Sequence, residues 1–201
     1  KESLTAGRRV KLNKIDNFVD GAAVAEIGER NFEILQRFEP DQVMTVPENA
    51  ICLTMTRILN TEGIVLEPAG ALSISALEAL DPQKIEGRSV VAVVSGGNFD
   101  FERLPDVKER AMRYAGTKKY FILRLPQRPG ALKDLLNLLG PEDDIARFEY
   151  LKKSARNFGS ILIGIETRSP DNFLRLAEAF DQAGLSYQDI TDNETIASLI
   201  I

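Results

Sequence analysis

The sequence predicts two consecutive folds: an α/β segment with a mostly parallel sheet over the first 115 or so residues, then an α+β ferredoxin-like βαββαβ unit from about residue 120. Three observations carry this. Strand-like and helix-like runs alternate through the first segment, the pattern of a parallel sheet flanked by helices. The second segment runs strand, helix, strand, strand, helix, strand, which builds one antiparallel sheet covered on one face by two helices. The stretch Gly116 to Lys119 separates the two patterns.

In the first segment, residues 42–46 read as a short strand and 47–59 as a helix with Pro47 near its first turn. Residues 63–67 read as a strand, and 69–80 as a helix on the spacing of Leu72, Ala76, Leu77 and Leu80, ended by Asp81-Pro82. Residues 89–94 are apolar on both alternating faces, which predicts a strand buried on both sides; it stops at Ser95-Gly96-Gly97-Asn98, and a helix resumes over 105–114. In the second segment the expected elements are strand 120–126, a turn at 127–130, helix 131–139, strands 145–153 and 158–167, helix 171–183 and a last strand at 186–190.

Composition narrows the chemistry. The chain has 201 residues, enough for one large domain or two small ones, with 44% hydrophobic and 27% charged residues, as expected of a soluble globular protein. A net charge of −5 leaves no basic surplus, so neither nucleic acid nor anionic membrane is the expected partner. The sequence has no histidine, which removes Ser-His triads and His-ligated zinc, and its single cysteine, Cys52, excludes an internal disulfide or a four-cysteine metal site. Together with the short apolar runs and the lack of a signal peptide, this points to a cytoplasmic protein. The first residue is Lys1 rather than Met, which reads as a piece of a longer product.

Four short motifs could carry function. Ser95-Gly96-Gly97-Asn98 sets a hydroxyl and two glycine amides at the carboxyl end of a strand, where open α/β sheets bind ligands; the same residues also make an ordinary strand-to-helix turn. Glu67-Pro68-Ala69-Gly70-Ala71 lets something approach the backbone closely, with its carboxylate facing a ligand or only a helix N-terminus. Asp20-Gly21-Ala22-Ala23-Val24 is a third small-residue turn. Leu125-Pro126-Gln127-Arg128-Pro129-Gly130-Ala131-Leu132 joins the first strand and helix of the second unit, as a site for a carboxylate effector or as a well-made helix start. Phe148 and Tyr150 alternate with Arg147 and Glu149; the aromatic pair forms an apolar patch if it lies on the open sheet face and is core otherwise. The tail acids Asp189, Asp192 and Glu194 lack metal-ligand spacing and read as solvated surface.

In this order, and followed by Arg147-Phe-Glu-Tyr-Leu-Lys-Lys, the motifs closely resemble biosynthetic threonine ammonia-lyase (threonine dehydratase or deaminase), short form, with one ACT-like regulatory domain. The resemblance runs from about residue 8 to the C-terminus and concerns the C-terminal half of that enzyme. It implies residues 1–116 as the C-terminal part of a fold-type II, tryptophan synthase beta-like domain dependent on pyridoxal 5′-phosphate (PLP), and residues 120–201 as the ACT-like domain. It also implies conversion of L-threonine to 2-oxobutanoate and ammonia in isoleucine biosynthesis, with feedback by L-isoleucine. Ser95 would then bond the pyridine nitrogen, Gly21 would line the cofactor pocket and Glu67 would sit near the ring. A serine hydroxyl does not readily protonate the pyridine, which favours β-elimination over transamination. The effector would take Arg128, Gly130, Ala131 and Leu132, with Phe148 and Tyr150 on its side chain. The pairing of ACT-like units implies a homo-dimer or homo-tetramer.

The family's Schiff-base lysine motif, Ser-x-Lys-x-Arg-Gly, and its glycine-run phosphate cup do not occur in this sequence; the nearest string, Lys153-Ser154-Ala155-Arg156, has the wrong order. The chain by itself is therefore expected to be inactive. Two alternatives stay open: an isoleucine-sensing fragment without PLP chemistry, and a serine/threonine dehydratase of different specificity.

Overall fold

The computed structural model describes residues 1–152 and 158–193. The chain divides into two compact units, Lys1–Ala111 and Met112–Ile201.

Six helices precede the sheet: α1 (Glu2–Ala6), α2 (Glu29–Leu35), α3 (Glu48–Glu62), α4 (Pro68–Leu77), α5 (Pro82–Ile85) and α6 (Leu104–Tyr114). Helix α3 follows Pro47, which cannot donate a ladder hydrogen bond, and stops at Gly63, whose φ of 67° suits a residue without a Cβ. Its Ile51, Cys52 and Met55 share one face and pack with Phe18, Val19, Leu66, Ala71, Val107 and Ala111 into the core of the first unit. Val107 and Ala111, four apart on α6, are its contribution to that core.

The strands expected at 42–46, 63–67 and 89–94 carry no sheet ladder. Pro40–Gln42 is a 3₁₀ turn, and 43–46, 64–67 and 88–100 run as unpaired chain. The apolar run at 89–94 exposes Val91 at 87% and Val93 at 72%, so its valines have the composition of a doubly buried strand without neighbours to cover them. The run is tied locally: Ser73 Oγ donates to the Val93 carbonyl at 2.7 Å, and the Glu67 amide to the Gly96 carbonyl at 3.3 Å.

All strand pairing among the described residues lies in the second unit. Its elements are β1 (Lys118–Pro126), α7 (Ala131–Leu136), β2 (Asp144–Leu151), β3 (Phe158–Glu166), α8 (Asp171–Gln182) and β4 (Ser186–Asp189). The sheet order is β2-β3-β1-β4, antiparallel throughout. This is the expected βαββαβ arrangement, although α7 ends at Leu136 rather than 139. Lys153-Ser154-Ala155-Arg156 and Glu194 lie outside the described residues.

Period-two alternation puts Phe121, Leu123 and Leu125 of β1 and Ile161, Ile163 and Ile165 of β3 on the helix-covered face. There they meet Ala131 and Leu135 of α7 and Phe173, Leu176 and Phe180 of α8, the last three at the i, i+3, i+7 positions of one helical face. Phe180 is fully buried, and its ring meets Tyr187 edge-on at 5.2 Å and Phe121 at 5.8 Å. Burial of such a side chain contributes about 2–3 kcal/mol.

Strand β2 changes phase at a bulge between Ile145 and Arg147. The extra residue, Ala146, lets Ile145 and Phe148 both face the core although they are three apart.

Candidate functional site

In the first unit, the motifs that open α4 and close the 90–97 segment fold onto each other. A methyl built at Gly70 would meet the Gly96 carbonyl oxygen at 2.2 Å, and one at Gly96 would meet the Glu67 carboxylate at 1.9 Å. At Gly21 a methyl would stand 3.1 Å from the Ala69 Cβ and 3.7 Å from Glu67 Oε1. Glycine is thus required at 70, where the neighbour is backbone, whereas a methyl at 96 would displace the Glu67 side chain. The Glu67 carboxylate is fastened to the loop, accepting the Asn98 amide at 3.2 Å. Gly21 and Glu67 come together, and Ser95 precedes Gly96, which meets Glu67, and is itself exposed to solvent.

A PLP ring can be tested against this cluster. The glycine cradle between Gly70 and Gly96 is filled by the protein's own backbone and by Glu67, so it is packing, with no room for a ligand. The exposed Ser95 hydroxyl and the exposed backbone at Gly97 fit one edge of a pyridine ring: a neutral donor and acceptor for its nitrogen, and a small residue that lets the plane approach, while the space beside Gly21 is taken by Ala69. Cys52 is fully buried, and that burial pushes its thiol up to about 12, so it is not a poised nucleophile.

The second unit carries a pocket of about 600 Å³ at the end of β1, the 127–130 turn and the first turn of α7, closed on one side by Tyr150 and Lys152. Gly130 has φ 83°, a left-handed conformation that the turn requires and that a β-branched residue would strain. Of the sequence-predicted effector residues, Arg128, Gly130, Ala131, Leu132 and Tyr150 line this pocket together. Phe148 does not: it is turned toward the helix-covered core, beside Leu138 and Leu139 in the same cluster. Tyr150 points to the same side as Phe148, so the aromatic pair makes no patch on the open sheet face. The Tyr150 ring lies across Gly159, whose missing side chain makes room for it; a Cβ there would be 2.5 Å from Cε2.

Three residues of this wall, Lys133, Leu136 and Lys152, were not singled out in the sequence. They join Leu125 and the 127–132 turn, the lysines giving with Arg128 three cations, and no carboxylate appears among the described lining residues. Leu125, Ala131, Leu132 and Leu136 supply an apolar floor. Helix α7 has only six residues, so the attraction for an anion comes from these side chains rather than from a helix terminus. Arg128 is not idle: its Nη2 pairs with Asp134 Oδ2 at 2.6 Å and its Nη1 donates to the Pro129 carbonyl at 3.3 Å.

Comparison with known proteins divides the chain in the same sense as its fold. Residues 1–96 match the model of the pyridoxal-phosphate dependent enzymes, and residues 109–200 that of the C-terminal regulatory domain of threonine dehydratase. The chain is 46% identical over 202 residues to the biosynthetic L-threonine dehydratase IlvA of Halalkalibacterium halodurans, covering 100% of this chain and 48% of that protein. It is 44% identical over 202 residues to the protein of the same name from Staphylococcus aureus strain bovine RF122, covering 100% and 47%. The chain thus spans about half the length of the curated relatives it matches. Among solved structures it resembles the processed form of threonine deaminase isoform 2 from Solanum lycopersicum, with 36% identity, a TM-score of 0.50, and coverage of 55% of this chain and 32% of that one. With both segments matched in sequence order, the chain resembles the biosynthetic threonine dehydratases over its whole length, and its second unit is similar to their C-terminal regulatory domain.

Proposed function

We propose that this chain is the C-terminal part of a cytoplasmic L-threonine ammonia-lyase that forms 2-oxobutanoate and ammonia and is inhibited by L-isoleucine. Residues 1–116 would belong to the catalytic domain and 120–201 would form the ACT-like regulatory domain, in a homo-dimer or homo-tetramer. The observation that carries the reading is the joining, in one chain, of a PLP-enzyme segment and a threonine dehydratase regulatory segment.

When bound in the complete enzyme, PLP supplies the electron sink for loss of the α-proton and of the β-hydroxyl. Three residues of this chain would serve it. Ser95 would offer a neutral hydroxyl to the ring nitrogen, Gly21 would line the pocket where it packs on Ala69 and Glu67, and Glu67 would hold the Gly96–Asn98 turn that follows Ser95. The Schiff-base lysine would come from a segment other than these 201 residues. Pure chain should therefore yield no 2-oxobutanoate from threonine, and turnover by it would overturn this assignment.

The effector would occupy the pocket beside Tyr150, its carboxylate among Arg128, Lys133 and Lys152 and its aliphatic side chain on Leu132 and Leu136. Support comes from a wall that joins positive charge to an apolar floor, the complement of an aliphatic amino acid's carboxylate and side chain. Isothermal titration with L-isoleucine, with L-valine and L-threonine as controls, tests it. Saturable isoleucine binding that is lost in Gly130→Val is the expected result, and an unchanged response in that variant would remove the site from this turn.

A further inference from the structure

We propose that Asp134 is the built-in counter-ion of this pocket: it neutralises Arg128 while the pocket is empty, and a ligand's carboxylate must displace it. The proposal rests on the reading of the pocket as the effector site. Arg128 lines the pocket, yet its guanidinium is turned onto the Asp134 carboxylate on the first turn of α7, 2.6 Å away. Asp134 itself is not among the lining residues. Paired with Arg128 from outside the lining, it competes for the cation. The two side chains are 58% and 57% exposed, so the pair is weak enough to exchange partners.

The consequence is a lowered affinity for every carboxylate that enters at Arg128. An anion that brings only charge exchanges one carboxylate for another on Arg128 and gains little. A carboxylate carrying an aliphatic chain also buries surface on Leu125, Leu132 and Leu136, and that burial makes the exchange favourable. Asp134 thereby sets one displacement cost that every carboxylate entering at Arg128 meets, and the apolar floor is what repays it for an aliphatic ligand.

The test is titration of the full chain with L-isoleucine, comparing wild type with Asp134→Asn, which keeps the shape and removes the charge. We expect the variant to bind about two- to fivefold more tightly, from the usual strength of an exposed ion pair. The gain should shrink as sodium chloride is raised and vanish in the Arg128→Ala background. If wild type binds isoleucine but Asp134→Asn binds equally or more weakly, Asp134 is no competitor and the proposal fails while the pocket reading stands. If neither protein binds isoleucine although both keep the wild-type circular dichroism and melting temperature, the pocket reading fails and takes the proposal with it.

Discussion

Asp16 and Glu48 bring two carboxyl groups together beside the Arg110 guanidinium. Glu48 opens α3, and burial, reinforced by the Asp16 carboxylate, pushes it up to about 7; Arg110, 3.7 Å away, offsets only part of this. Asp16 accepts the Phe18 amide at 3.0 Å, and that bond, with Glu48 and the Arg110 charge, holds it below the usual carboxylate range. The proton therefore rests on Glu48.

A pH dependence with a definite sign follows. The pKa of Glu48 is raised on folding from an ordinary 4.5 to about 7, so its contribution is complete below pH 4.5 and is lost as pH rises through 7. Urea midpoints of the chain should fall between those values and level off above. Glu48→Gln should flatten this fall and stabilise the protein at pH 8 by about 1 kcal/mol, discounted from the full shift for partial hydration. The lowered pKa of Asp16 acts at the acid end, where stability is lost as pH falls below 3.8. Equal slopes in wild type and Glu48→Gln would refute the assignment.

Two glycines of the first unit should respond differently to alanine. At Gly70 the new methyl meets a backbone carbonyl at 2.2 Å, which cannot swing aside, whereas at Gly97 the nearest atom is the Val65 oxygen at 3.4 Å. Gly70→Ala should cost about 1–3 kcal/mol and Gly97→Ala less than about 0.5 kcal/mol, read from denaturant midpoints. Similar losses at both would mean that the close approach at Gly96 is not maintained.

Asp143 is nearly fully buried, with 2% of its side chain exposed, and accepts the Gly140 amide at 2.6 Å while pairing with Arg175. It ties the chain after α7 to α8. Asp143→Ala leaves that amide without its acceptor and should destabilise the second unit by about 2 kcal/mol. Hydrogen exchange at Gly140 should rise with it, and an unprotected Gly140 amide in wild type would contradict the bond.

The second unit was legible because its signals are local. Alternation in β1 and β3, the i, i+3, i+7 face of α8 and the Pro129-Gly130 turn each lie within a few residues. The bulge at Ala146 was not, since it exists only in the pairing with β3. In the first unit, the valine-rich 90–94 run signals a strand's composition, while a ladder depends on partners that composition does not reveal. For the pocket, the turn and Tyr150 were visible, whereas Lys152 reaches it across the sheet and Asp134 matters only through Arg128. Phe148 and Tyr150 share a side, and depth along β2 decided that one is core and the other pocket wall.

The two glycines of β3 act as notches cut for rings. Gly159 takes the ring of Tyr150 on the helix-covered face, and Gly164 takes that of Tyr120 on the opposite face, where a Cβ would stand 2.6 Å from Cε1. Sliding β3 by one residue along its neighbours would bring Ser160 or Ile165 beneath these rings and turn both notches to the wrong sides. The strand is thus keyed from both faces. The aromatic wall of the pocket inherits its place from how the sheet is threaded, and its distance from Arg128 is set when the strands first align.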